Sequence, residues 1–216
     1  MAIVLPGATF LHIPKCGGTW VFQAMSAAGL APQVVPPDGQ HAITATEGRF
    51  VFTFVRHPLT WYASFWNFRW SEAARRGGPI EERLREGAGQ ADELIDDCLV
   101  DGCGRPRPFA AFVEQCVARH PGFLSRKYDL YTARVDFVGR QESLCEDLLA
   151  ALRRSGVAFD AAAVRRAPKV NEANPRFRAD YPPGLADRLL AAESAAVDRF
   201  YRGATLRPLV CATPRV

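Results

Sequence analysis

The sequence predicts a single α/β domain over residues 1–216, with a central parallel β-sheet flanked by helices on both faces to give three layers. Three observations predict it. Short runs of β-branched and aromatic residues alternate with longer helical stretches. A Gly-Gly pair joins the first such run to the first helix, which makes a strand, loop and helix unit. A chain of 216 residues, 48% of them hydrophobic, is long enough to bury one sizeable core.

The elements follow in order. "ATFLHI" reads as a short buried strand, and "GGTWVFQAMSAAGL" as a helix ending near Gly29, with Trp20, Ala24 and Ala27 or Ala28 on one face. "QVVPP" is a second short strand stopped by prolines, and "HAITATE" a short helix or turn. "RFVFTFV" is a third strand, and its residue types suit a central position buried on both faces. "RHPLTWYASFWNFRW" opens with a Pro where a first helical turn tolerates it and runs to about Arg76. Residues 77–108 are charged and glycine-containing, which predicts one or two surface helices between mobile joints, a lid or substrate-binding insertion. "FAAFVEQCVARH" is a helix, "VDFVGR" a strand, and "QESLCEDLLAALRRSG" an amphipathic helix closed by Gly156. An irregular Asn/Pro/Arg segment and one or two terminal helices complete the chain. There are no internal repeats.

Composition excludes several classes. No segment approaches the eighteen or so apolar residues of a membrane span, and "MAIVLPGATF" has neither a charged leader nor enough apolar residues for a signal peptide. A soluble, cytoplasmic protein without a membrane span is the expectation. The six cysteines never form CxxC pairs and are read as having no His at ligand spacing, so neither a metal site nor a disulfide framework is expected. The formal net charge of +4 suits an anionic ligand, but no basic stripe interleaved with aromatics points to nucleic acid.

The chemistry-bearing stretch is "TFLHIPKCGGTW", Thr9 to Trp20. A loop between strand and helix points backbone N–H groups at whatever sits above the helix N-terminus, where the helix dipole also favours negative charge. Lys15 supplies a point charge, Gly17 and Gly18 let the backbone approach closely, and Thr19 adds a hydroxyl donor. The nucleotide-hydrolase loop G-x-x-x-x-G-K-[ST] places its Lys after the glycines, with a hydroxyl beside it for magnesium. Here the Lys comes first, and no Gly lies four residues before a GK pair, which argues against a P-loop kinase or ATPase.

"IPKCGGTW" resembles the 5′-phosphosulfate loop of sulfotransferases, and "HIPK" is most similar to the carbohydrate and bacterial branch of that family. "FVRHPLTWYAS" is similar to the family's 3′-phosphate motif: a strand ends in Arg56, Pro58 follows, and Ser64 lies eight residues after the Arg. With Arg56 at a strand end and Ser64 about two turns along the next helix, both face the crevice at the carboxyl edge of the sheet, where a guanidinium and a hydroxyl grip one phosphate. "VDFVGRQESLCEDLLAALRRSG" also resembles the strand and helix that follow the substrate region in bacterial members.

The resemblance implies the P-loop nucleotide-hydrolase-like sulfotransferase fold, with 3′-phosphoadenosine 5′-phosphosulfate as donor, adenosine 3′,5′-bisphosphate as product and no metal. The acceptor is a hydroxyl or amine of a small molecule or carbohydrate, and a homodimer is admitted. It implies that Lys15, Cys16, Gly17, Gly18, Thr19, Trp20, Arg56 and Ser64 hold the donor, with Lys15 neutralising charge on the leaving 5′-phosphate. Trp20 either stacks on adenine or belongs to the core. A hydroxyl acceptor needs a general base. His41 stands where the heparan-type branch carries its catalytic His, and Glu47 is the reserve; His12 reads as structural. "WYASFWNFRW" is either core or, on one flank, an apolar or sugar-stacking acceptor wall. Arg140 has a claim to structure or to the cofactor rim, and Arg176 and Arg178 to closing over the 3′-phosphate. A P-loop phosphotransferase and a non-catalytic nucleotide-binding module are the competing readings.

Overall fold

The computed structural model describes residues 1–35, 46, 48–89, 95–170 and 172–203. The first eleven residues form a hairpin of β1 (Ala2–Leu5) and β2 (Ala8–Leu11), paired antiparallel from Ala2 opposite Leu11 to Leu5 opposite Ala8. Pro6 and Gly7 make its turn, and Gly7 takes the left-handed conformation such a reversal requires. β1 also pairs antiparallel with β3 (Gln33–Val35). β4 (Phe50–Val55) lies parallel to β2, and β5 (Phe137–Arg140) parallel to β4. The sheet order is β3-β1-β2-β4-β5.

The architecture is therefore α/β with an open, mixed sheet flanked by helices, which corrects the expected wholly parallel sheet. β2, β4 and β5 are parallel as expected. The difference is β1: residues 2–5 are as apolar as a buried strand demands, and the Pro6-Gly7 turn folds them back antiparallel onto β2. β1 thereby occupies the place beside β2 and leaves β3 at the sheet edge, where Val34 is exposed.

β4 is buried on both faces, as its composition predicts. On one face the Phe10 ring lies 5.4 Å from that of Phe52 and 5.6 Å from that of Phe54. Gly139 on β5 has a steric reason: a Cβ there would stand 2.5 Å from Phe54 Cε1 and 2.9 Å from Asp147 Cβ.

Two sets of helices flank the sheet. α1 (Gly18–Ala27), α6 (Leu144–Arg154) and α7 (Ala161–Arg166) pack among themselves. α2 (Pro58–Arg75), α4 (Phe109–Arg119), α8 (Leu185–Ala192), α5 (Phe123–Thr132) and α9 (Ser194–Phe200) form the other set. α2 carries the aromatic stripe, and Trp61, Tyr62, Phe65 and Trp66 are core residues while Phe68 reaches the surface. Within residues 77–108, α3 (Ile80–Gly89) packs on α2, and Ile95, Cys98 and Leu99 are fully buried in the main core.

A buried carboxylate ties the second set together. Glu193 accepts hydrogen bonds from Tyr62 Oη (2.7 Å), the Leu124 and Ser125 amides (3.0 and 2.8 Å) and Ser125 Oγ (2.7 Å). It thus occupies the N-terminus of α5, where unpaired amides and the dipole favour an anion. Among the described residues no helix is long and apolar enough to cross a membrane.

Candidate functional site

The segment His12–Gly17 leaves the carboxyl end of β2 and turns into α1. Two of its residues adopt the left-handed conformation, Lys15 at φ 68° and Gly17 at φ 90°. Gly17 does so freely, whereas a left-handed Lys is uncommon, and strain of this kind is retained where the surrounding structure enforces it. Between them, the Cys16 amide closes the turn by donating to the Ile13 carbonyl (3.2 Å). The first-turn amides of Gly18, Thr19 and Trp20 have no intrahelical acceptor. No side chain caps this end of α1, and no acidic residue stands in its first turn.

Gly18 is a steric requirement. A Cβ at this position would fall 2.0 Å from His12 Cδ2, because the His12 imidazole lies against the Gly18 α-carbon. Burial, with the N-terminal amine and Lys15 nearby, lowers the His12 pKa to about 4, so the ring is neutral at physiological pH. His12 is thus the structural residue the sequence predicts.

Three contacts clamp the loop, two from α2 and one from Arg56 just ahead of it. Trp61 Nε1 donates to the Pro14 carbonyl (2.9 Å), Arg56 Nη1 donates to the Lys15 carbonyl (3.1 Å), and Lys15 Nζ stands 3.8 Å from the centroid of the Phe68 ring. Burial and the neighbouring Arg56 guanidinium lower the Lys15 pKa to about 8. The ammonium is poorly solvated, and an arriving anion would relieve that cost.

Arg56 follows the last residue of β4. Its Nε donates to Thr60 Oγ1 (3.1 Å), and its backbone is gripped by Tyr128, whose hydroxyl accepts from the Arg56 amide (3.0 Å) and donates to the Arg56 carbonyl. Thr60, Ser64 and Phe68 recur every four residues along α2, so they share one face. The half-buried Ser64 lies between the residue that holds Arg56 and the residue that holds Lys15. The structure thus brings Lys15 and Arg56 together beyond the carboxyl ends of the parallel strands β2 and β4, with Ser64 on the face of α2 that carries Thr60 and Phe68.

A search of known protein families, curated proteins and solved structures found no match.

The remaining predicted residues distribute unevenly. The Cys16 thiol points inward, 3.8 Å from Tyr128 Oη, and burial pushes its pKa up to about 12. The Cys16 amide is bonded to the Ile13 carbonyl (3.2 Å). Thr19 is exposed at the start of α1. Trp20 packs against the core and directs its indole N–H at the Ala167 carbonyl, 3.5 Å away. His41 and Glu47 lie outside the described residues. Arg140 sits opposite Val55 in the β4–β5 ladder, one residue from Arg56, with its side chain exposed and its amide held by Asp147 (2.6 Å). Arg176 lies over the Phe177 ring and Arg178 pairs with Asp180 (3.2 Å). Their segment is pinned to α2 by Asn67, whose Nδ2 donates to the carbonyls of Asn174 (2.9 Å) and Phe177 (2.8 Å).

Sequence reasoning missed the supports of Arg56. Tyr128 holds its backbone, and Glu142 accepts from the His57 amide (2.8 Å) and from Tyr201 Oη (3.0 Å). His57 stacks edge-on to Tyr201 at 5.0 Å between centroids. Glu142 had a legible signal, since it follows the carboxyl end of a strand predicted parallel to β4; Tyr128 had none. A cavity of about 560 Å³ lined by Pro6, Gly7, Leu30 and Val157 lies at the opposite end of the sheet and contains none of these groups.

Proposed function

We propose that this chain is a sulfotransferase that moves a sulfuryl group from 3′-phosphoadenosine 5′-phosphosulfate to a hydroxyl or amine of a small-molecule or carbohydrate acceptor, on a sulfotransferase-type variant of the P-loop fold. One observation carries the reading: Arg56 donates to the carbonyl of Lys15, so the two sequences with the character of phosphate sites adjoin at the carboxyl edge of parallel strands, the usual place for a nucleotide in an open α/β sheet.

In this proposal the amides from Gly17 to Thr19 and the Lys15 ammonium hold the 5′-phosphate, and Arg56 with Ser64 holds the 3′-phosphate. The acceptor oxygen attacks sulfur in line as the bond from sulfur to the bridging phosphate oxygen breaks. The electron pair of that bond stays on the departing adenosine 3′,5′-bisphosphate, where Lys15 offsets the growing charge. The acceptor proton goes to a base, for which His41 is proposed and Glu47 is the reserve. His12 does not suit this role: its ring is wedged against Gly18 and holds a proton only below about pH 4.

The test is a pair of titrations, one with adenosine 3′,5′-bisphosphate and one with ATP and magnesium. Tighter binding of the bisphosphate, without need of magnesium, is the expected outcome. Magnesium-dependent ATP affinity exceeding it would replace this proposal with phosphoryl transfer.

A further inference from the structure

A second constellation lies where the segment 95–108 meets α4. Asp97 and Cys98 belong to the one-turn 3-10 helix Asp96–Leu99, and His120 follows α4. The sequence reads as having no His at ligand spacing from a cysteine, and it is the tertiary fold that brings His120 beside Asp97 and Cys98.

One ligand atom from each of Asp97, Cys98 and His120 lies within 4.8 Å of the others. Asp97 Oδ1 is 3.3 Å from Cys98 Sγ and 3.4 Å from His120 Nε2. A tetrahedral zinc with bonds of about 2.3 Å to sulfur and 2.0 Å to oxygen or nitrogen separates a sulfur and an oxygen ligand by about 3.5 Å, and an oxygen and a nitrogen ligand by about 3.3 Å.

Two further observations favour a ligand here over an ordinary ion pair. His120 Nε2 is buried and makes no hydrogen bond, although Asp97 Oδ1 is close, so the two atoms converge without donor-acceptor alignment. Arg119 holds the other Asp97 oxygen at 2.6 Å, which turns Oδ1 toward Cys98 and His120. Metal-ligating carboxylates are commonly oriented by such a partner.

We propose that Asp97, Cys98 and His120 supply three ligands of a tetrahedral zinc site that staples the Asp96–Leu99 turn to the end of α4, with water in the fourth position. A thiolate, an imidazole and a carboxylate are a donor set that suits zinc rather than magnesium or calcium. Cys98 ligates as a thiolate, so its proton passes to water as the metal enters.

The test uses the full chain, reduced and stripped of metal with a chelator, then titrated with cobalt(II). One equivalent is expected to produce a thiolate-to-cobalt charge-transfer band and the strong visible bands of tetrahedral cobalt, both erased by zinc, which also raises the melting temperature. Cys98→Ser removes the charge-transfer band. His120→Gln, at a partly exposed position outside the core, weakens binding by about tenfold or more while the chain stays folded. Cys103→Ser and Cys145→Ser leave the spectrum unchanged. Absence of a thiolate band at one equivalent would overturn the proposal, as would bands that persist undiminished in Cys98→Ser or His120→Gln.

Discussion

Gly18→Ala isolates the physical reason for the second glycine of the loop. Gly18 opens a helix and is not in the left-handed conformation, so the alanine backbone is unstrained there. In a helix interior, alanine is favoured over glycine by about 0.5–1 kcal/mol. The opposing effect is steric. The new methyl would stand 2.0 Å from His12 Cδ2 and 2.2 Å from Nε2, and reaching the 3.4 Å of ordinary contact moves the ring by about 1.4 Å. His12 has little room to retreat, because its ring lies over Phe10 with centroids 6.0 Å apart and its amide is bonded to the Met1 carbonyl (3.1 Å). Overpacking of this kind costs about 1–3 kcal/mol, which for a chain of this size lowers the melting temperature by about 3–10 °C. In a His12→Ala background the obstacle is gone, and Gly18→Ala becomes neutral or slightly stabilising. Thermal and urea denaturation of the four proteins in this cycle gives a coupling of about 2 kcal/mol. A Gly18→Ala protein as stable as wild type, or a loss unchanged when His12 is removed, would refute the steric account.

Other consequences follow from the same contacts. Anion binding favours protonated Lys15, whose pKa is about 8 in the free protein. Affinity for adenosine 3′,5′-bisphosphate is therefore expected to be level from pH 7 to about 8 and to fall above it, approaching tenfold per pH unit; an affinity still level at about pH 9.5 would contradict the shifted pKa. Thr60→Val removes the hydroxyl that orients Arg56 Nε, and calorimetric titration is expected to show bisphosphate affinity about fivefold weaker with the fold unchanged. Tyr62→Phe deletes one donor to buried Glu193 and costs about 1–2 kcal/mol of stability in urea. Glu193→Ala strands several donors at once and costs about 3–5 kcal/mol. Equal losses in these two variants would show that the carboxylate is not the organising group.

The legible parts of the fold are those whose local pattern coincides with their tertiary environment. β4 is apolar on both faces because it is central, and α2 starts at Pro58 because Pro suits a first turn. β1 was hidden: "AIVL" has no partner in its own sequence, and only the Pro6-Gly7 turn shows that it folds back onto β2. In the candidate site, Lys15, Gly17 and Arg56 stood out by residue type and spacing, and the structure places Arg56 against the Lys15 carbonyl. The clamp by Trp61 and Tyr128 was not, because an aromatic in a helix reads as core, and both are indeed buried. Only the tertiary arrangement aims the Trp61 indole at Pro14 and the Tyr128 hydroxyl at Arg56. His120 was passed over for a related reason, since it gains meaning as a ligand only when Asp97 and Cys98 arrive from another element.

The central claim is that one nucleotide is held at two anionic ends, and the most direct measurement compares adenosine 5′-monophosphate with adenosine 3′,5′-bisphosphate by calorimetry on wild type, Lys15→Ala and Arg56→Ala. Wild type should prefer the bisphosphate, Arg56→Ala should bind the two ligands equally, and Lys15→Ala should weaken both by a common factor while keeping the preference. An Arg56→Ala protein that retains the full preference for the 3′-phosphorylated ligand would contradict the account.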